Sequence, residues 1–362
     1  MYIDLSDSIR FALRNSVPSG IQRVAFSVAK VTGKADPITI DWKNGRIKKP
    51  IDKNILTWDF IKALGNIKNC DDYDDFMEIY HNHFNDIEVR SVENKHFLFI
   101  GGAWNFNTSQ FLINTLAEKN RVSIFVHDFL PFEDKVTLSH SLGFCDFFNG
   151  LSKKIDFYTS TEDTAILIDK HLSRDVKAVV PFPLDTNLFV GHCSFNSGMN
   201  NLEKDHYYLS IGAIDGRKRH DLVVRSWIES GLYQKFKLFI VGPKILNDKR
   251  FEDSLSLGHK NIDYLGLVDD LMYYRLILST RGVFYPSPSE GFGMPLLDSY
   301  LHNKPCFVPK NSSYTKYHMS WYELDFESGF SEKEIIHPSI THLEDKKFCY
   351  SLDWLDFINK FY

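Results

Sequence analysis

The richest chemistry in this 362-residue sequence lies at 286–298, which reads PSPSEGFGMPLLD. Glu290 puts a carboxylate beside two glycines, and Pro295 is typical of the first turn of a helix. A helix N-terminus offers N–H groups and a positive dipole to an anion, and glycines let the backbone approach it. We expect Asp298 on the first turn, within reach of a ribose hydroxyl. The alternative is a plain turn in which Asp298 only complements the helix dipole.

A second candidate lies at 210–221, SIGAIDGRKRHD, where three cations stand between a predicted strand end and a predicted helix. Arg217, Lys218 and Arg219 would suit a diphosphate, because they can neutralise the charge that builds on a departing nucleotide. The alternative is a solvated basic turn.

Two weaker candidates lie in the first half of the chain. Ser19-Gly20 is predicted to form a glycine loop that joins the first strand to the first helix. His127-Asp128 directly follows a buried strand, where a histidine could hydrogen-bond or exchange protons with a ligand. The alternatives are an ordinary tight turn at Ser19-Gly20 and a purely structural histidine at 127. Neither segment indicates a ligand site by itself, and the indication comes from all four segments occurring in one chain.

Alternation of strands and helices predicts how these residues are positioned. It indicates α/β architecture with parallel sheets covered on both faces, in two Rossmann-like halves whose ligands bind at the carboxyl ends of the strands. Residues 36–95 are predicted as helices and loops, and 309–345 as short irregular segments. Phe348, Leu352, Leu355 and Ile358 are predicted to share one face of a terminal helix. Strands are expected at 2–5, 97–100, 122–126, 156–159, 176–180, 207–211, 237–241, 261–265, 282–285 and 305–308, and helices at 21–28, 109–118, 221–230, 269–278 and 295–301.

Length and composition fit two globular domains. The unpatterned stretch 191–205 is predicted as a linker between an N-terminal domain, 1–190, and a C-terminal domain, 206–345. We expect the terminal helix, 346–362, to pack back on the first domain.

Composition excludes several classes of function. A net charge of −5 gives no basic footprint for nucleic acid, and five scattered cysteines suggest neither a disulfide framework nor a zinc site. The acidic run at 71–75 is predicted to be solvated surface rather than a metal site. The N-terminus lacks the pattern of a signal peptide, and no apolar stretch is long enough to span a membrane. We therefore expect a cytoplasmic protein, with peripheral membrane association left open.

Taken together, the motifs resemble those of retaining GT-B glycosyltransferases of family 4, which have two Rossmann-like domains facing across a cleft. Residues 290–298 are similar to the family segment E-x-F-G-x-P-x-x-E, with Asp298 in place of the second Glu. Residues 212–219 resemble G-x-x-x-x-R-K-N, with Arg219 in place of Asn, and 264–270 resemble F-x-G-x-V-x-D. The first half resembles bacterial surface-polysaccharide enzymes of the family, many of them mannosyltransferases, through GIQRV at 20–24 and HDFLP at 127–131.

The resemblance implies roles for individual residues. Glu290 would contact hydroxyls of the donor sugar, Arg217 and Lys218 would hold the diphosphate, and His127 would lie near the transferred sugar. Asp298 would bind the ribose. The other residues implied to bind the nucleotide sugar are Gly20, Leu265, Phe292, Gly293, Met294, Leu296 and Leu297.

The implied function is transfer of a hexose-type sugar, with retention, from a GDP- or UDP-sugar to a glycan or lipid-linked glycan in bacterial surface polysaccharide synthesis. Neither a metal nor another cofactor is expected, and the oligomeric state is left open. The alternatives are a nucleotide-sugar epimerase on the same fold and a catalytically inert GT-B subunit.

Overall fold

The computed structural model divides the chain into two compact units. One comprises Met1–Leu188 with Tyr350–Tyr362, and the other Phe189–Cys349. The linker predicted at 191–205 lies outside the described residues, so the predicted domain boundaries stay a prediction. The structure describes residues 1–15, 18–31, 33–68, 72–133, 138–183, 206–245, 247–256, 258–338, 342–343 and 353–362.

The N-terminal unit is built on an eight-stranded sheet in the order β4-β3-β2-β1-β5-β6-β7-β8. The strands β1, β2, β5, β6, β7 and β8 are mutually parallel, as the strand–helix alternation predicts. Its strands are β1 (Tyr2–Asp4), β2 (Asp36–Asp41), β3 (Arg46–Pro50), β4 (Phe84–Glu88), β5 (His96–Phe99), β6 (Arg121–Val126), β7 (Asp156–Thr159) and β8 (Ala178–Val179). Its helices are α1 (Ser6–Arg14), α2 (Gly20–Lys30), α3 (Trp58–Lys68), α4 (Tyr73–Tyr80), α5 (Ser109–Lys119), α6 (Leu138–Asn149), α7 (Glu162–Leu172) and, near the end of the chain, α13 (Trp354–Asn359).

The prediction of helices and loops for 36–95 is wrong in part, because three strands lie there. The strands β2, β3 and β4 form an antiparallel ribbon at one edge of the sheet. Ile40, Ile47 and Ile87 lie opposite one another across this ribbon. Charged and polar residues flank each of these isoleucines, so each strand carries too short an apolar alternation to be recognised.

The first helix was also missed. The strand β1 leads directly into α1, in which Asp7, Ser8 and Ile9 are all buried. Gly20 therefore begins the second helix rather than joining the first strand to the first helix, and Ser19 is the N-cap residue of that helix.

The C-terminal unit is a seven-stranded sheet in the order β11-β10-β9-β12-β13-β14-β15, parallel except for the last pair. Adjacent residues of β9 point to opposite faces: Tyr208 packs with Trp227 on one face, and Leu209 packs with Val283 on the other. Both faces are thus covered, as predicted for a parallel sheet. The elements are β9 (Tyr207–Ile211), α8 (His220–Glu229), β10 (Lys237–Val241), α9 (Lys249–Ser256), β11 (Ile262–Gly266), α10 (Asp270–Ser279), β12 (Val283–Phe284), α11 (Met294–Leu301), β13 (Cys306–Pro309), β14 (Ser320–Leu324), α12 (Glu332–Ile336) and β15 (His342–Leu343).

Two predictions near the C-terminus need correction. The segment predicted as irregular after Val308 contains β14, which extends the sheet by pairing with β13 in parallel, and α12, which opens with a capping box at Ser331. The predicted apolar face of the last helix is wrong at Leu355, which is 43% exposed. Phe348 and Leu352 lie outside the described residues.

The last helix packs within the N-terminal unit. The ring of Phe357 lies 5.5 Å from that of Phe125 on β6, and the ring of Phe361 lies 4.6 Å from that of Tyr158 on β7. None of the helices in the described part of the chain is long and apolar enough to cross a membrane.

Candidate active site

The two candidate segments of the C-terminal unit follow neighbouring strands. The strand β12 pairs with β9 in parallel, with Phe284 opposite Ser210. Because both strands end at the same edge of the sheet, the loop after β9 and the loop after β12 meet there.

Glu290, Arg217 and Lys218 form one cluster at this edge, which we call the Glu290 cluster. Arg217 Nη1 lies 3.1 Å from Glu290 Oε1, and Lys218 Nζ donates a short hydrogen bond to the same oxygen. Arg217 Nη1 also donates to the carbonyl oxygen of Ser289, at 2.7 Å. The side chains of Lys218 and Glu290 are only 12% and 11% exposed. The structure therefore brings together three of the residues singled out in the sequence.

Electrostatics keep the Glu290 carboxylate ionised. Burial by itself raises the pKa of Glu290, but the charges of Lys218 and Arg217 outweigh burial and bring the pKa below its ordinary value. The nearby phenol of Tyr285, which lies 3.3 Å from Lys218 Nζ, has a pKa raised well above normal by burial and by the Glu290 charge. Tyr285 is therefore a neutral hydrogen-bonding group here.

Asp215 organises the loop that carries the two cations. Its Oδ1 accepts hydrogen bonds from the backbone N–H groups of Arg217 and Lys218, at 3.1 and 3.0 Å. Sequence reasoning missed this residue, although an aspartate that accepts from the backbone two residues on is a known turn former.

The third cation of the run turns away from the Glu290 cluster. Arg219 has a positive φ of 51° and is the N-cap residue of α8. Its guanidinium bonds Asp221 and Glu327, the latter at 2.7 Å. The expectation that three cations serve one anion is therefore wrong for Arg219.

The loop before α11 is held by residues that sequence reasoning missed. Gly293 has φ 84° and is the N-cap residue of α11, and a Cβ there would lie 2.8 Å from the ring of Tyr314. The Tyr314 hydroxyl donates to the carbonyl of Ser287, and His318 Nε2 donates to the carbonyl of Phe292, at 2.9 and 2.7 Å. Both lie more than twenty positions downstream, where local motifs give no signal.

The residues of α11 differ in what they can present to a ligand. Met294 is the first residue of the helix, at its positive end. Leu296 and Leu297 are buried side chains, and their backbone N–H groups bond the carbonyl oxygen of Gly293. A direct contact between either leucine side chain and a nucleotide is therefore not supported.

Asp298 lies one residue deeper in α11 than predicted, because the helix begins at Met294 rather than Pro295. It is the fifth residue of the helix and only 4% exposed. Its Oδ2 accepts a 2.8 Å hydrogen bond from the hydroxyl of Tyr273 on α10. Leu265, at the end of β11, and Tyr273 pack against the same apolar cluster. A ribose hydroxyl that reached Asp298 would therefore meet a carboxylate that is already hydrogen-bonded to Tyr273.

In the N-terminal unit, two side chains converge on Asp7, one of them that of Gln22, two positions after Gly20. Gln22 Nε2 donates to Asp7 Oδ2 at 3.0 Å, and Asn105 Nδ2 donates to Asp7 Oδ1 at 2.9 Å. A Cβ on Gly102 would lie 2.9 Å from the Asp7 carboxylate, so glycine permits this close approach. Sequence reasoning missed Asp7, because a lone acidic residue after a three-residue strand gives no specific signal.

His127 follows β6 at the same edge of the sheet. Its Nε2 bonds the carbonyl oxygen of Ile100 at 2.7 Å, so Nε2 carries the proton and Nδ1 is left as an acceptor in the neutral ring. Burial lowers the pKa of His127 to about 4, partly opposed by the bond to Ile100 and by the Asp7 charge. His127 is thus a neutral hydrogen-bonding group at pH 7 rather than a ready proton carrier.

One family model matches part of the chain. The model of "Glycosyl transferases group 1" matches residues 196–347. The comparison with curated proteins finds no match.

Solved structures resemble the whole chain at low sequence identity. WaaG, a glycosyltransferase involved in lipopolysaccharide biosynthesis, is 13% identical, with 92% of this chain and 88% of that chain covered and a TM-score of 0.51. Anabaena HepE in complex with UDP is 12% identical, with 99% and 88% covered and a TM-score of 0.51. Trehalose-6-phosphate synthase, studied as a retaining glycosyltransferase with bisubstrate glycomimetics, is 9% identical, with 99% and 95% covered and a TM-score of 0.55.

These likenesses show the fold. The chain has the mixed α/β architecture of GT-B proteins, with two sheets made largely of parallel strands. The segment that holds the Glu290 cluster, residues 196–347, matches the glycosyl transferases group 1 family.

Proposed function

We propose that this protein is a glycosyltransferase that takes a sugar from a nucleotide-sugar donor and attaches it to a glycan acceptor. The observation that carries the proposal is the Glu290 cluster, in which two cations converge on one buried carboxylate beside the N-terminus of a helix. The family match of 196–347 covers the cluster.

Arg217 and Lys218 are proposed to bind the donor diphosphate. A diphosphate carries more negative charge than the single carboxylate of Glu290, so it competes effectively for both cations. As the bond to the sugar breaks, negative charge grows on the departing diphosphate. Asp215 already holds the loop that carries both cations, so they stabilise that charge with little reorganisation of the backbone.

Glu290 is proposed to accept hydrogen bonds from hydroxyls of the donor sugar. Its low pKa makes it an acceptor at neutral pH, and the loop held by Tyr314 and His318 sets its position. Backbone N–H groups of Phe292, Gly293 and Met294 are proposed to assist. Asp298, with Tyr273 bonded to it, is proposed to contact the ribose.

We infer retention of the anomeric configuration from the resemblance to family 4. No described residue of the cluster is placed as a nucleophile with an adjacent base, so front-face attack is the proposed route. In this route the leaving phosphate takes the acceptor proton, and charge stabilisation and positioning lower the barrier. The neutral His127 is proposed to orient the transferred sugar by accepting a hydrogen bond at Nδ1. Gly20, at the start of α2, is proposed to admit the diphosphate.

The finer identity of the substrates is also proposed from the resemblance. The donor is a UDP- or GDP-hexose, and the acceptor is a glycan or lipid-linked glycan of bacterial surface polysaccharide synthesis. The proposed site of action is the cytoplasm, at the inner face of the membrane where the acceptor is lipid-linked. The proposed mechanism uses neither a metal ion nor another cofactor.

A thermal-shift screen with UDP-, GDP-, ADP- and dTDP-sugars tests the proposal. A ligand that binds only the folded chain raises its melting temperature, and we expect one donor to do so. The shift should vanish in Arg217→Ala/Lys218→Ala and persist in Lys235→Ala, which removes an exposed cation paired with Glu332. Analysis of products by NMR then separates transfer from epimerisation, which needs no acceptor. Failure of every sugar nucleotide to bind would favour an inert subunit.

A further inference from the structure

Tyr285 places a buried phenol beside the Glu290 cluster. It directly follows β12 and is only 2% exposed. Its backbone N–H donates to the carbonyl oxygen of Phe307 on β13 at 2.8 Å, and its ring meets that of Tyr314 edge-on at 5.6 Å. Strand pairing and ring packing together fix where the hydroxyl lies.

The hydroxyl of Tyr285 interacts with both members of the ion pair between Lys218 and Glu290. It accepts a hydrogen bond from Lys218 Nζ at 3.3 Å, so its own proton is free to point to another acceptor. Burial, then the charge of Glu290 and a hydrogen-bonding interaction with its carboxylate, raise the pKa of the phenol well above its ordinary value. Tyr285 therefore keeps its proton at neutral pH and can donate a hydrogen bond to Glu290.

Two other hydroxyls interact with Glu290, those of Ser287 and Tyr314, but both donate to backbone oxygens. Ser287 Oγ donates to the carbonyl oxygen of Ser289 at 3.1 Å, and the Tyr314 hydroxyl donates to the carbonyl oxygen of Ser287 at 2.9 Å. The charged side chains around the carboxylate are those of Lys218, Arg217 and, 3.6 Å from Arg217, Asp215. Among the described residues of the cluster, Tyr285 is thus the neutral group with a proton to offer Glu290.

Binding of the proposed donor changes the charge balance at Glu290. In the free chain, the charges of Lys218 and Arg217 outweigh the effect of burial and keep the carboxylate ionised. A diphosphate that engages the same two cations cancels much of their positive charge at Glu290, while burial remains. The carboxylate then takes up a proton more readily, unless a hydrogen bond to its ionised form opposes this.

We propose that Tyr285 is a positioning residue that donates a hydrogen bond to Glu290 and keeps it an ionised acceptor once the diphosphate has engaged the two cations. The proton stays on the phenol oxygen throughout, so no covalent bond forms or breaks. This role rests on the proposed function, because it requires a donor diphosphate at the cluster. It leaves the lone pairs of an ionised Glu290 available to hydroxyls of the donor sugar.

Proton uptake on donor binding tests this role without an acceptor. Calorimetric titration in two buffers of different ionisation enthalpy measures how many protons are bound together with the nucleotide sugar. The probe is the tightest binder among UDP-, GDP-, ADP- and dTDP-glucose and GDP-mannose. The diphosphate of these compounds does not titrate near neutral pH, so uptake reports on groups of the protein.

We expect the wild type to take up almost no proton between pH 5.5 and 7.5. Tyr285→Phe should take up about half a proton or more at pH 5.5, because loss of a hydrogen bond to an ionised group raises the pKa of that group by about one to two units. By linkage, its affinity for the donor should rise relative to that of the wild type as the pH falls. Infrared difference spectra should show the C=O band of a protonated carboxylic acid on donor binding to this variant.

Tyr207→Phe is the matched control. It removes another buried phenol of the C-terminal unit, whose hydroxyl donates to the carbonyl oxygen of Leu276 at 2.9 Å. We expect it to bind the donor with as little proton uptake as the wild type. Thermal melting of both variants shows whether the unit is still folded.

Four results would overturn the proposal. They are proton uptake by the wild type at pH 5.5, equal uptake in Tyr285→Phe and Tyr207→Phe, uptake without the carboxylic acid band, and loss of donor binding by Tyr285→Phe at both pH values. The first of these needs no variant. Donor binding by the wild type with any of these results contradicts the role of Tyr285 alone, whereas a wild type that binds no nucleotide sugar contradicts the proposed function and this role with it.

Discussion

Replacing Lys218 by Met separates two roles of this cation: the pairing with buried Glu290, which the structure shows, and the proposed stabilisation of the departing diphosphate. Methionine keeps an unbranched apolar stem and removes the ammonium group, with its hydrogen bonds to Glu290 and Tyr285 and its position 5.3 Å from the centre of the Tyr285 ring. The variant therefore tests the charge rather than the packing.

The loss of stability expected for Lys218→Met follows from the burial of the Lys218–Glu290 ion pair. Removing one partner of a buried ion pair typically costs about 3–5 kcal/mol. Here Arg217 remains 3.1 Å from Glu290 Oε1 and keeps the carboxylate paired, so we expect a smaller loss of about 2 kcal/mol. The double variant Lys218→Met/Glu290→Gln also removes the buried charge of Glu290. We therefore expect it to regain most of the free energy of unfolding that Lys218→Met loses.

Turnover should respond differently. Loss of one group that stabilises charge in the transition state costs about 100- to 1000-fold in rate, and removing Glu290 as well cannot restore it. Urea denaturation measures the free energy of unfolding, and release of the nucleoside diphosphate from the bound donor measures turnover. Lys218 has no part in turnover if Lys218→Met turns over the donor as fast as the wild type, or if the double variant regains activity together with stability.

Three further predictions concern protonation and backbone geometry. Burial raises the pKa of Asp4 to about 7 from an ordinary 3.8, so the folded chain holds this proton where the unfolded chain releases it. The wild type should therefore lose up to about 4 kcal/mol of stability relative to Asp4→Asn as the pH rises from 4 to 7, and a difference that is constant with pH would contradict this. Burial lowers the pKa of His127 to about 4, so its ring should keep neutral NMR shifts from pH 5.5 to 8, when assigned by comparison with His127→Asn. A midpoint near 6.5 would show that burial does not keep the ring neutral. Gly293→Ala puts a Cβ 2.8 Å from the ring of Tyr314 at a positive φ, so it should lower the free energy of unfolding by about 2 kcal/mol and weaken donor binding. Unchanged melting and binding would show that the loop accommodates a side chain.

Most of the C-terminal unit could be predicted from the sequence, because each buried parallel strand is a continuous apolar run followed by a helix. The sequence also placed Arg217, Lys218 and Glu290 in loops at the carboxyl ends of strands, but their pairing became visible only because β9 and β12 are neighbours in the sheet. The direction of individual side chains within these loops could not be predicted from the sequence. Arg219 and Lys218 are adjacent in sequence, but the positive φ of Arg219 turns its side chain toward Glu327.

The N-terminal unit was harder to predict, for two physical reasons. The strands β3 and β4 lie at the sheet edge and are mostly polar, so they lack the apolar alternation that identifies a strand. Asp7 is buried by contacts with Gln22 and Asn105, which lie 15 and 98 positions away, and no local pattern encodes such a contact.

Binding of a nucleotide-sugar donor by the Glu290 cluster can be measured by calorimetric titration with the nucleotide sugar that raises the melting temperature most. We predict one binding site per chain in the wild type and a loss of affinity of about 100-fold or more in Arg217→Ala/Lys218→Ala, since two charge-assisted contacts at about 1.5–3 kcal/mol each are removed. Lys235→Ala should bind like the wild type. Equal affinity in all three proteins, or no binding of any nucleotide sugar to the wild type, would contradict the account.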